Sequence, residues 1–331
     1  MTSSHPIVLI VKAEEDGLRL DQFVVRRIAG ISRGSVRRLL ERRLVLVEGR
    51  PEVKGCRLTQ GQQVVVAAVA RSERPVAQPE LELDVLVERE DMVVINKQAG
   101  VPCHPLVPGE TDTVANAIAA RFPECVDASP QAREGGLVHR LDWSTSGVLV
   151  AARTSEAYGR LRGAFSGRRA LKHYLALVEG EVTEAGLVKS DIRTVPGDRT
   201  RMEVVFPADA PRGSREAETF FEPLERLGKR TLVHITCRTG QRHQVRIHLA
   251  HAGHPLVGDE HYGGLPLDGV EGAFLHAARL TLLDEDARFE APLPPRRAVL
   301  LRELGASRLT APEEPVTLPR GGQALPGTEI E

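Results

Sequence analysis

Aromatic residues make up only 4% of the 331-residue chain: one tryptophan, three tyrosines and eight phenylalanines. Aliphatic side chains must therefore fill the core, and a hydrophobic content of 41% supplies them. Cysteine is scarce as well. Cys56, Cys103, Cys125 and Cys237 are widely spaced, and no Cys-x-x-Cys occurs. That argues against a disulfide framework and a zinc site and suits a reducing cytoplasm. The opening MTSSHPIVLIVKAEEDG has no basic start followed by a long apolar run, so no secretory signal is read there. No window approaches the roughly 18 apolar residues of a membrane span. A phosphate-binding glycine loop of the GxGxxG kind is absent, as is any internal repeat.

The formal net charge is −1, but the charge is unevenly spread. Between residues 26 and 43, Arg26, Arg27, Arg33, Arg37, Arg38, Arg42 and Arg43 face Glu41 alone. Such a patch suits either a polyanion contact or a solvated helix face. Residues 1–68 read as a small α/β unit. It has a helix in RLDQFVVRRIA, a second in SRGSVRRLLER with Val36, Leu39 and Leu40 on one face, and short strands in LVLVEGR and QQVVVAA. Residues 69–80 hold two prolines and little apolar signal, the pattern of a linker. Residues 81–304 alternate apolar strands with a few helices and long loops. The expected class is α+β, a mixed and largely antiparallel sheet, not a regular βαβ repeat. Residues 305–331, rich in Pro, Gly and Thr, are expected to be a flexible tail.

Three stretches concentrate reactive groups. VHRLDWSTSGVLV (138–150) holds one carboxylate, Asp142, with Arg140 beside it and no second acid. A carboxylate flanked by cations stays ionised, fit for a base, a nucleophile, a ligand or a structural ion pair. CRTGQRHQVRIHLAHAGHPLVGDEHYGG (237–264) carries His243, His248, His251, His254 and His261, yet no HExxH and no metal-ligand spacing. A helix over 243–252, stopped by Gly253, would carry Arg246, able to grip a carboxylate in fork geometry. In LKHYLALVEG (171–180), strand alternation puts Lys172, Tyr174, Ala176 and Val178 on one face. Taken alone, that tyrosine reads as an ordinary core residue with its hydroxyl at the rim.

In this order, HRLDWSTSG, KxYxAxVxG and TGQRHQVRIHLAHAGHPLVGDEHYGG closely resemble the RluA family of pseudouridine synthases. EREDMVVINKQAGVPCHP and FLHAARLTL add to the likeness, which spans nearly all of 81–295. The first unit resembles, more weakly, the small ribosomal-protein-type RNA-binding module that many members carry. Gln98, Trp143-Ser144 and Gln241-Arg242 depart from the usual pattern. The resemblance implies isomerisation of uridine to pseudouridine in structured RNA, with no cofactor and no metal. Asp142 would attack C1′ or take the C2′ proton, Arg246 would pair with it, and Tyr174 would stack on the uracil with its hydroxyl as candidate base at C5. Arg140 would fill the gap left by a flipped-out uridine, with His139 and Lys172 as further substrate contacts. Arg33, Arg37 and Arg38 would meet phosphates. Large-subunit ribosomal RNA is the favoured target and transfer RNA the alternative. A monomeric cytoplasmic enzyme is expected. The rival readings are an inactive RNA-binding protein on this scaffold, a metal-dependent hydrolase using the histidines, and an S-adenosylmethionine-type modifier.

Overall fold

The computed structural model describes residues 6–28, 33–41, 43–53, 55–66, 74–206 and 210–312. The chain forms two compact units, Met1–Ser72 and Glu73–Glu331. The first contains β1 (Ile7–Ile10), α1 (Leu20–Arg27), α2 (Arg33–Glu41), β2 (Val45–Val47), β3 (Arg50–Pro51) and β4 (Gln63–Val66). Its strands pair antiparallel in the order β1-β4-β2-β3. Glu48 and Gly49, both at positive φ, make the two-residue turn between β2 and β3 that the strand twist favours. Val36, Leu39 and Leu40 of α2 are buried with Phe23, Val24 and Leu58 in a core of the unit's own.

The second unit opens with β5 (Val85–Glu88), β6 (Met92–Lys97), α3 (Val114–Arg121), α4 (Pro123–Ala128), β7 (Ser146–Ala152) and α5 (Ser155–Ser166). It continues with β8 (Ala170–Glu179), β9 (Gly186–Thr194), β10 (Met202–Val205), β11 (Arg215–Leu227), β12 (Arg230–Cys237) and α6 (Gln244–His251). β13 (Leu275–Leu282), β14 (Ala287–Glu290) and α7 (Pro295–Glu303) complete it. One sheet of ten strands runs β10-β9-β11-β12-β8-β13-β7-β6-β5, with β14 branching from β13. The expected α+β class with a mixed, largely antiparallel sheet is what is found: among the described residues the β7–β13 pair alone is parallel.

That pair is short, Ser146 with His276 and Gly147 with Ala277, and it lies just after Asp142. His276 donates from Nε2 to the Ala291 carbonyl (3.0 Å), so its Nδ1 accepts from the buried Ser146 hydroxyl (2.9 Å). Gly147 sits at φ +113°, and a β-carbon there would stand 2.6 Å from the Ala277 carbonyl carbon and closer still to its oxygen. Glycine is therefore required where the two halves of the sheet meet.

Two expected boundaries differ from the structure. Of the expected linker, the described residues 76–80 belong to the second unit: Asn116 donates to the Val76 carbonyl (2.8 Å), and Gln78 donates to the Asn116 carbonyl (3.1 Å). Of the expected tail, residues 305–312 are held. Glu225 accepts from the Ser307 and Arg308 amides, and Arg279 donates to the Ala311 and Pro312 carbonyls. In both places a charged or amide side chain elsewhere in the chain satisfies the backbone, and composition does not reveal that. Residues 313–331 lie outside the described set.

Gly147→Ala is expected to lower the unfolding free energy by about 3 kcal/mol, combining a clash with left-handed backbone strain. Denaturant unfolding of the two proteins measures it. An unchanged midpoint would show that β7 and β13 separate without cost.

Candidate active site

Asp142 stands at the tip of a turn between Leu141 and β7, closed by the Thr145 amide donating to the Asp142 carbonyl (3.1 Å). Two buried cations hold this turn from below. Lys97, at the end of β6, donates from Nζ to the carbonyls of Gln98 (2.9 Å), Trp143 (3.1 Å) and Thr145 (2.7 Å). Arg297, in the first turn of α7, donates from Nη2 to the Ser144 carbonyl (2.7 Å) and from Nη1 to the Leu275 carbonyl (2.6 Å). The carbonyls of Trp143, Ser144 and Thr145 thus each meet a cation. Burial pushes the Lys97 ammonium down to about 8 and the Arg297 guanidinium down to about 10.

Arg246 projects from α6 toward the turn. His243 begins that helix at φ +54°, a left-handed conformation that histidine tolerates better than most residues, and Gly253 ends it. The carboxylate held in fork geometry is Asp259: Nε and Nη2 each donate to it at 2.7 Å. Nη1 is left facing Asp142, at 3.5 Å from Oδ2. The side-on fork thus goes to the more deeply buried of the two carboxylates. The Tyr262 ring lies under the same guanidinium at 5.0 Å. The Tyr262 hydroxyl accepts from the Met202 amide (2.9 Å) and shares a hydrogen bond with His243 Nδ1 (2.8 Å). His243 Nε2 lies 4.0 Å from Asp142 Oδ1. Burial pushes this imidazole down to about 4, so it is neutral near pH 7.

Beside Asp142 a cavity of about 460 Å³ opens, lined by Arg246 and His243 and by Tyr174, His139, Phe165, Lys172 and Thr145. Tyr174 is half-buried on β8, opposite Ile235 of β12 and Ala277 of β13. Burial first, then the charges of Cys237 and Asp142, pushes its phenol well above the ordinary value. His139 accepts the Val150 amide proton on Nε2 (3.1 Å) and stacks on Phe165 at 4.5 Å. Lys172 donates to the Arg238 (3.1 Å) and Thr239 (2.8 Å) carbonyls. The buried Thr145 hydroxyl has no hydrogen-bond partner among the described residues.

A family model described as RNA pseudouridylate synthase matches residues 91–251. An uncharacterized RNA pseudouridine synthase of Chloroflexus aurantiacus is 35% identical, over 90% of this chain and 93% of its own. The ribosomal large subunit pseudouridine synthase D of Escherichia coli is 33% identical over 84% of this chain and 83% of its own. The chain is an RNA pseudouridine synthase of the RluA family. Among solved structures, the human RNA pseudouridylate synthase domain containing 4 superposes with a TM-score of 0.54, at 25% identity over 67% of this chain and 93% of its own.

The synthase brings Asp142, Tyr174, Arg246, His139, Arg140 and Lys172 to one place, around the cavity beside Asp142. Arg140 is exposed at its rim. Arg37 is exposed on α2, paired with Glu41 one turn on (2.7 Å). The side chains of Arg33 and Arg38 lie outside the described residues. Among the described residues no three His, Cys, Asp or Glu side chains cluster as a metal site, and no helix is long and apolar enough to cross a membrane. Sequence reasoning missed Lys97, Arg297, Asp259 and Tyr262. Lys97 and Asp259 stand inside quoted motifs, where the clue was a charge in an apolar strand end and an acid in a histidine-rich loop. Arg297 follows Pro294-Pro295 and carries no signal of its own.

Asp259→Ala leaves the mostly buried Arg246 without its fork. The expected cost is about 3 kcal/mol of stability or more, together with a lower kcat as Arg246 loses its orientation. Unfolding and turnover of the purified variant check this. A variant with unchanged kcat would separate the Asp259 fork from catalysis.

Proposed function

We propose that this synthase isomerises uridine in large-subunit ribosomal RNA, with Asp142 opening the glycosidic bond. The supporting observation is that Asp142 lines the same cavity as Tyr174, with the Nη1 of Arg246 at 3.5 Å from its Oδ2. The reaction breaks the N1–C1′ bond, turns the uracil and joins C5 to C1′. The C5 proton is lost and N1 gains one. No leaving group departs, so the paired acid of a glycosidase is not needed. Asp142 acts on C1′, or on the C2′ proton. Arg246 fixes its direction through a charge that does not titrate.

Tyr174 supplies a ring for the uracil to stack on. Its phenol is neutral in the free enzyme, so service as base at C5 depends on what the bound uracil does to it. Lys172 and His139 shape the wall beside that ring, and Arg140 fills the space of the flipped uridine, whose extrusion costs a few kcal/mol. The choice of ribosomal RNA rests on the printed names of relatives in Escherichia coli and Nitrosomonas europaea, both ribosomal large subunit synthases. The Nitrosomonas protein is 31% identical over 91% of this chain. The first unit would add phosphate contacts through Arg33, Arg37 and Arg38.

Asp142→Asn is expected to lower isomerisation by about a thousandfold or more while RNA binding persists. Ribosomal and transfer RNA from a strain lacking the gene, treated with either protein and mapped by carbodiimide stops, gives the answer. New stops in ribosomal RNA with wild type alone support the reading. Stops confined to transfer RNA redirect the substrate, and none at all favours a binding protein. Replacing Arg33, Arg37 and Arg38 together by alanine should flatten the salt dependence of binding, with a log–log slope smaller by about 2. Filter binding across a salt series measures that slope.

A further inference from the structure

The residue after Asp142 is the sole tryptophan of the chain, and no step above uses it. Single exposed apolar residues are ordinary, but the setting of Trp143 is specific. Its side chain is half in solvent, at 50% exposure. Its main chain is fixed, the carbonyl accepting from the Gly100 amide (2.9 Å) and from Lys97 (3.1 Å). The indole edge runs past Gly100 and Gly272, both at positive φ. β-carbons at those positions would lie 3.9 and 3.8 Å from the ring. These are ordinary contact distances, so the two glycines flank the indole without being required by it.

Trp143 lines a second opening, of about 700 Å³, on the side of Asp142 away from Tyr174. Asp142, Arg140, Arg242 and Leu106 line it too. Arg140 makes no ion pair or hydrogen bond among the described residues, whereas Arg242 is occupied by the Arg199 (2.7 Å) and Thr200 (3.1 Å) carbonyls. Two acids also stand near. Glu260 lines the opening, and the Glu271 carboxylate lies beside Gly100. They disfavour a phosphate against the indole and leave the ring face for an uncharged group.

We infer that Trp143 is a stacking site for a nucleobase adjacent to the target uridine, with Arg140 serving the strand between the two. This rests on the synthase reading. Stacking on an aromatic face is sequence-tolerant, so the site would add affinity and hold the register of the strand without selecting a base.

The single tryptophan makes a direct test. Its fluorescence in the full-length protein is followed while oligouridylate or inorganic polyphosphate is added at one salt concentration. Quenching that saturates with oligouridylate, in step with filter binding, and is absent with polyphosphate is the expected result. Equal responses to both, or RNA binding with unchanged fluorescence, overturns the inference. Steady-state kinetics on the RNA identified by stop mapping give the second readout. Trp143→Ala should raise KM roughly 5- to 150-fold with little change in kcat, and Trp143→Phe should recover most of the loss. An unchanged KM in Trp143→Ala also overturns it. The two readings fail separately: a synthase reading that fails shows as wild type making no pseudouridine, whatever the fluorescence does.

Discussion

The active site depends on how two buried cations meet three consecutive carbonyls. Lys97 and Arg297 lie far apart in sequence, yet both end on the backbone of residues 143–145. A buried charge without a counter-ion is costly unless its donors are satisfied. Here carbonyl dipoles replace the counter-ion. The arrangement orders the turn strongly, because moving any of those carbonyls leaves a charged donor unsatisfied in a place water does not reach. Arg297 also reaches Leu275, at the start of β13, so α7, β13, β6 and the Asp142 turn are clamped together. Gly147 completes the joint by letting β7 and β13 approach.

Above this clamp, Arg246 divides its guanidinium between two carboxylates. The bidentate grip on Asp259 fixes the plane, and the Tyr262 ring supports one face. What remains for Asp142 is one directed N–H at 3.5 Å, a contact loose enough for the carboxylate to move toward a substrate. In the proposed reaction, a full fork on Asp142 would stabilise the resting carboxylate and hold it back from the sugar. Asp259 orients the arginine and leaves the carboxylate proposed to react free to move.

The sequence carried the residues proposed to react more clearly than their supports. Asp142, Tyr174 and Arg246 sit in long ordered motifs, and the helix bearing Arg246 was legible from the spacing of Val245 and Leu249 and from Gly253. Partner choice was not legible. Whether Arg246 grips residue 142 or 259 depends on how a loop after α6 folds back, and no local pattern encodes that. Arg297 looks like one more surface arginine at a helix start, because only the packing of α7 against β13 buries it. Residues 305–312 look like a tail because their Pro, Gly and Thr content hides the backbone contacts to Glu225 and Arg279. Motif reading finds what a local run of residues can state. It misses what two distant runs state only together.

Protonation follows the same division between permanent and adjustable charge. Burial holds His139 at about 3, and His104 and His243 at about 4. None of the three carries charge near neutral pH. The field at Asp142 then comes from guanidinium groups, which do not titrate there, and from the Lys97 ammonium, which burial pushes down to about 8 and which still carries most of its charge at pH 7. Uridine and pseudouridine carry the same charge, and no group leaves the site between them. A steady field suits such a reaction, since a histidine that charged midway would favour one side of the uracil's turn over the other. In the histidine-rich stretch after β12, burial pushes His243 and His248 down to about 4, so these two serve as neutral rings, and the charge nearest Asp142 belongs to Arg246.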